Sequence, residues 1–128
     1  MLFDTSVLID YLTGRNATAT HYVTDIISGQ PGYLSIIAEA ELWVGVRNRR
    51  EEETIEALAS LFTVIPLNSG IVRDAFTLMR QMDISQRKVH LADALIAATA
   101  LEIGETVLTA DRRSSRVFGN RVRYLVYR

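Results

Sequence analysis

The sequence predicts an α/β fold, a three-layer sandwich in which helices cover both faces of a mainly parallel sheet. Three observations predict it. Short apolar or β-branched runs alternate along the chain with longer segments of helical periodicity, the pattern of parallel strands joined by helical crossovers. One late segment, HLADALIAATALEIG at residues 90–104, is apolar nearly all round and reads as a helix buried within the fold. Two strand-like runs, MLF at the start and TVLT near the end, give way to an aspartate. In open parallel sheets, ligands bind in the crevice beyond the carboxyl ends of the strands.

The elements follow in order. Met1, Leu2 and Phe3 form a short strand that ends at Asp4. Thr5 and Ser6 come next, and residues 7–12 have a helical look that Gly14 and Asn16 break. Asp4 therefore has two readings, a cap on that helix or a site acid, and Thr5 and Ser6 suit capping too. Residues 17–28 put Tyr22, Val23, Ile26 and Ile27 on one side of a second helix, ended by Gly29, Pro31 and Gly32. Tyr33, Leu34 and Ser35 make a very short strand, and residues 36–46 resume helical periodicity. Residues 47–53 are a charged connection that a solvated turn explains. Residues 54–61 read as helix, 62–66 as a β-branched strand closed by proline, and 69–82 as another helix. A polar loop is expected over 83–88. The buried helix stops at Gly104, a residue suited to a C-terminal cap. Residues 106–109 form a strand, 111–119 an irregular or helical piece, and 122–127 a last alternating strand.

Bulk properties narrow the function. At 128 residues and 48% hydrophobic content the chain is one ordinary domain, 1–128, able to bury about two thirds of its unfolded surface. It contains no cysteine, which excludes disulfides, thiolate zinc sites and a cysteine nucleophile. No charged and apolar leader opens the sequence, and no apolar run approaches the ~18 residues that span a bilayer. A soluble, unexported, cytoplasmic protein with no membrane partner is expected. The net charge of −1 argues against a broad basic surface. The distribution says more, because Lys88 is the only lysine, and arginines crowd the last segment at 112, 113, 116, 121, 123 and 128. That cluster is either a solvated edge or a set of phosphate contacts, for which arginine is well suited.

The acids need explaining. Asp93 is the one charge in the first half of the buried helix, where a carboxylate is costly unless a helix N-terminus, an arginine or a metal ion compensates it. Asp111 repeats the strand-then-acid pattern of Asp4, although alone it reads as a turn residue or helix cap. Glu39 and Glu41 lie on differing faces of the third helix, and periodicity does not choose between them. Four carboxylates converging at the edge of a parallel sheet repel one another unless a cation holds them. Oxygen ligands select hard ions such as Mg2+ or Mn2+, and metal-assisted phosphoryl transfer is the natural chemistry of such a pocket.

At these residues the chain resembles PIN-domain ribonucleases, and among them the VapC-like toxins of toxin–antitoxin pairs. The resemblance rests on DTSVLIDYL, SIIAEAELWVG, DALIAATA and LTADRR, whose order and spacing span essentially the whole chain. It implies a PIN-like α/β/α sandwich and a metal site formed by Asp4, Glu41, Asp93 and Asp111. Glu41 is chosen over Glu39 because Leu42 and Gly45 complete its motif. Ser6 and Thr109 are implied as supporting hydroxyls, and Thr5 as a turn residue. The family often carries a further acid or asparagine after the last aspartate. Here Ser114 and Ser115 stand there, which speaks against a strong second metal site.

The resemblance further implies a Mg2+- or Mn2+-dependent endoribonuclease that cuts structured RNA of translation through metal-activated water. Arg112, Arg113 and Arg116 would hold flanking phosphates, the protein would form a homodimer, and a cognate antitoxin would silence it. An arginine of that antitoxin could replace the cation on the carboxylates. Other polar residues read as structural: His90 as a helix-start or surface histidine, His21 as surface, Trp43 as packing, and Asp10 as facing solvent or pairing with an arginine. Rival readings are a PIN nuclease of RNA processing outside such a pair, a receiver-like signalling domain, and a binding module that has lost catalysis. A receiver predicts paired acids after the first strand and a lysine after a late strand, and the chain has neither. A D-x-D phosphatase is disfavoured because Thr5 and Ser6 follow Asp4.

Overall fold

The computed structural model describes residues 1–83, 87 and 90–128. Five short strands, β1 (Leu2–Phe3), β2 (Tyr33–Ser35), β3 (Thr63–Ile65), β4 (Val107–Thr109) and β5 (Tyr124–Val126), form one sheet in the order β3-β2-β1-β4-β5. Every pairing is parallel, so the expected mainly parallel sheet is wholly so. The chain lays β2 and β3 on one side of β1 and then crosses back to place β4 and β5 on the other. Right-handed crossovers therefore put the helices before β3 on one face and those after it on the opposite face. The reversal occurs between β1 and β4, which places the crevice of the sheet at the carboxyl ends of these two strands.

Among the described residues, seven helices cover the sheet: α1 (Thr5–Thr13), α2 (Ala17–Ile27), α3 (Ile36–Val44), α4 (Arg49–Ala59), α5 (Ser69–Met79), α6 (Leu91–Ile103) and α7 (Arg112–Phe118). Their starts are written in single side chains. Asn16 accepts from the backbone N–H of Thr18 at 2.8 Å, Ser35 from Ile37 at 3.1 Å, and Asn68 from Ile71 at 2.9 Å. Gly104 ends α6 with φ 69°, the left-handed conformation that glycine adopts without a Cβ clash.

The charged stretch 47–53 is not a solvated turn, because most of it belongs to α4. Asn48 caps the helix by accepting from the Glu51 N–H at 2.9 Å. Glu51 and Glu52 lie in the first turn, where the helix dipole favours acids. Arg47 pairs with Glu51 at 3.0 Å and Arg49 with Glu53 at 3.4 Å, one turn apart, while buried Ile55 and Leu58 tie the helix to the core. The remaining expectations differ in their ends: α1 begins two residues earlier than expected, α3 ends at Val44, and α5 ends at Met79. The piece at 111–119 is helical as α7. Most of the loop expected over 83–88, including Lys88, lies outside the described residues.

The core is the sheet and the helix faces against it. Leu2, Phe3, Leu34, Val107 and Leu108 are fully buried, and Phe3 meets Phe62 edge-on at 5.0 Å between ring centroids. Helix α6 is buried from Ala94 to Ala100 on every side, as its composition predicts. Trp43 packs against this core, and His21 stays at the surface, 3.8 Å from Asp25. Of the two readings of Asp10, solvent-facing or paired with an arginine, the second holds. Asp10 is buried and accepts from the Tyr127 hydroxyl at 2.8 Å and from Arg128 Nη2 at 2.9 Å, which ties the C-terminal residues to α1. Among the described residues no helix is long and apolar enough to cross a membrane.

Candidate active site

The crevice between β1 and β4 is built from Asp4 outward. Asp4 stands at the N-cap position of α1, yet its side chain makes no capping hydrogen bond. Its Oδ2 instead accepts from Ser6 Oγ at 2.9 Å and from Thr109 Oγ1 at 2.7 Å. The two hydroxyls also accept, Ser6 from the Ala110 N–H at 3.1 Å and Thr109 from the Asp111 N–H at 2.9 Å. This network joins the ends of β1 and β4 and fixes the direction of the Asp4 carboxylate. The capping reading of Asp4 and Ser6 gives way to it, and the hydroxyls expected to support the site, Ser6 and Thr109, are the ones that touch Asp4.

Asp93 lies in the first turn of α6 and is two-thirds enclosed, its side chain 35% exposed. Burial pushes its carboxyl above the usual range, and the negative charges of Asp4, Asp111 and Glu41 push it further. His90, at the start of α6, opposes them with Nδ1 3.8 Å from Asp93 Oδ2, so this histidine borders the site. Asp4 and Asp93 share a cavity of about 10 Å³, room for roughly one water, that Ile96, Val107, Ser114 and Tyr124 also line. Burial, then Asp4 and Asp93, raise the Tyr124 phenol above its ordinary value and keep it protonated.

Asp111 caps α7 through the backbone N–H of Arg113 at 2.8 Å. The Arg113 guanidinium also clamps it, Nε at 3.1 Å and Nη2 at 3.0 Å from Oδ2, and this pairing first of all holds the Asp111 carboxyl below the usual range. Arg112 donates from Nε to the backbone oxygen of Arg128, and Arg116 stands in the last turn of α7. Glu41 projects from the exposed side of α3, and its Oε1 accepts from Thr5 Oγ1 at 2.8 Å. Thr5 is therefore no mere turn residue. Sequence reading missed it because an i-to-i+36 contact leaves no local trace; only its place beside Asp4 was a signal. Glu39 is not among the acids that Asp93 feels.

The arrangement gathers four carboxylates from four separate stretches of chain around one crevice, with the Arg113 guanidinium at its edge. The donor set is all oxygen and carries mutual repulsion, which fits a hard divalent cation. Among the described residues no group of three or more His, Asp or Glu side chains is drawn together closely enough to hold an ion between them. The clamp of Arg113 on Asp111 holds one of the four acids to the rim. From Glu41 a groove of about 390 Å³ runs between α1, α3 and α4 over Ile9, Leu12, Leu42, Val46 and Ile55.

A family model described as the PIN domain matches residues 1–119. The chain is 38% identical over 100 residues to the protein named Ribonuclease VapC10 of Mycobacterium tuberculosis, which covers 78% of this chain and 74% of that protein. It is 31% identical over 120 residues to Ribonuclease VapC19 of the same species, covering 91% and 93%. Of solved structures, a toxin–antitoxin complex from Klebsiella pneumoniae is similar at 26% identity and a TM-score of 0.72, over 89% of this chain and 88% of that one. DNA-bound VapBC from Salmonella typhimurium reaches a TM-score of 0.81 over 99% and 97% of the two chains at 18% identity, a likeness of fold.

Proposed function

The chain belongs to the PIN domain family, and from that premise we propose that it is a divalent-metal-dependent endoribonuclease, the toxin of a toxin–antitoxin pair. The domain in this reading spans residues 1–128, since β5 beyond the family match pairs with β4. One observation carries the proposal: burial first of all raises the carboxyl of Asp93, the negative charges of Asp4, Asp111 and Glu41 raise it further, and a cation would relieve both. The similar proteins named ribonucleases supply the reaction class.

Asp4, Glu41, Asp93 and Asp111 would hold Mg2+ or Mn2+, directly or through water. When bound, the ion supplies Lewis acidity that polarises the scissile phosphate and lowers the pKa of water. The chain's own residues do the rest. Ser6 and Thr109 hold the Asp4 carboxylate in one orientation, and Ile96 and Val107 line the cavity beside Asp4 and Asp93 with apolar side chains. Arg112, Arg113 and Arg116 line the approach for the flanking phosphates, with Arg113 exchanging Asp111 for an RNA phosphate. In the same reading the protein is a cytoplasmic homodimer, and an antitoxin lies along the groove that leads to Glu41. The clamp of Arg113 on Asp111, through both Nε and Nη2, supports an antitoxin arginine as the silencing group.

The test is cleavage of total RNA by the purified protein with Mn2+, with Mg2+ and with EDTA. Fragments form with metal and vanish in EDTA, and Asp93→Ala lowers the rate by about a hundredfold or more, beyond the usual loss from an outer-shell partner. Metal-dependent fragments at the wild-type rate from Asp93→Ala would overturn the assignment of the site.

A further inference from the structure

Threonines inside the helices of this chain turn their hydroxyls back on their own backbone. Thr13, Thr24, Thr54, Thr77 and Thr99 each donate to the carbonyl four residues earlier. Thr5 cannot, because it is the first residue of α1 and no helical carbonyl lies behind it. Its side chain is buried with the residue at 7% exposure, and its hydroxyl crosses to α3, where it donates to Glu41 Oε1 at 2.8 Å. Glu41 is exposed. Left alone, so long a side chain samples many rotamers and meets an ion only after losing that freedom.

We propose that Thr5 is a positioning residue for Glu41: its one proton ties Oε1 and leaves Oε2 as the oxygen turned to the ion. The inference rests on the metal-site reading above. A hydroxyl carries a single donor, and the neighbouring hydroxyls of Ser6 and Thr109 are both spent on Asp4. Thr5 is thus the residue through which α1 fixes the acid of α3, as Ser6 and Thr109 fix the acid of β1. A carboxylate that receives this hydrogen bond is held in one rotamer, so Glu41 is positioned before metal arrives.

The test compares Thr5→Val, which keeps the shape and removes the proton, with Thr5→Ser, which keeps the proton. Thr5→Ala serves as a second deletion should the valine misfold. Binding of Mn2+ alone to the RNA-free, full-length protein is read by calorimetry or by loss of the free-ion electron paramagnetic resonance signal. Thr5→Val and Thr5→Ala weaken Mn2+ binding about tenfold, Thr5→Ser restores it, and Thr5→Val in an Glu41→Gln background causes no further loss. With RNA at saturating metal, the deletions lower kcat and leave KM unchanged. Wild-type Mn2+ affinity in Thr5→Val beside a weakened Glu41→Gln overturns the role of Thr5 and leaves the metal site standing. Unchanged affinity in Glu41→Gln overturns the metal-site reading, and the role of Thr5 with it.

Discussion

Asp4 precedes α1 and Asp10 lies within it, and the two meet opposite surroundings. Asp10 is 5% exposed and complete: a phenol and a guanidinium meet its two oxygens, and the charge is neutralised where it lies. Asp4 receives only neutral hydroxyls, and it faces Asp93 across a small cavity. A buried acid with its own cation is a fastener, whereas acids that meet other acids form a place for a cation from outside. Burial alone would have ranked them the other way. The partner, not the depth, separates structural carboxylates from those of the site.

The comparison breaks if the Asp10 knot proves dispensable to the fold. Asp10→Asn loses the charge that holds Arg128, and Asp10→Ala loses both partners and leaves the Tyr127 hydroxyl unpaired. Urea denaturation should show Asp10→Ala destabilised by about 1–3 kcal/mol, the cost of leaving a buried polar group without its partner, with Arg128 half exposed and so adding less. The folded fraction still binds Mn2+ as the wild type does. A protein that keeps its stability but loses Mn2+ binding would reverse the roles assigned to Asp10 and Asp93.

A smaller effect sharpens the comparison from the other side. Because the folded protein raises the Asp93 carboxyl above its unfolded value, the folded state holds that proton more tightly. Metal-free stability therefore falls as pH rises from the ordinary carboxylate value through the raised one, and it recovers in acid. Asp93→Asn removes this component. Thermal unfolding in EDTA should show the variant more stable than the wild type near neutral pH, with the gap closing toward pH 4. A variant less stable than the wild type at neutral pH would mean that Asp93 contributes to the fold as a paired acid.

The sequence made the sheet end legible because strands, apolar periodicity and the acids after β1 and β4 are all local signals. Gly104 and the all-apolar α6 were legible for the same reason. The first half of α4 was not: it rests on an asparagine cap and one-turn ion pairs, which in sequence resemble any solvated charge run. Thr5 escaped because its partner Glu41 lies far along the chain. An arginine pair for Asp10 was legible, but for the same reason not that Arg128 and Tyr127 supply its partners. Asp111 was read both as cap and as site acid, and it caps α7 while Arg113 clamps its outer oxygen. Residues whose roles depend on tertiary partners stayed ambiguous until the fold brought those partners to them.

The central claim is that the acids at the β1–β4 crevice are assembled for a divalent cation, and Mn2+-dependent thermal stabilisation tests it most directly. At an Mn2+ concentration about a hundredfold above the dissociation constant, binding to the folded state adds about 2.7 kcal/mol. That raises the wild-type Tm by roughly 8 °C for a domain of this size, while Asp93→Asn stays where it is in EDTA. An equal rise in both proteins, or no rise in the wild type, contradicts the account.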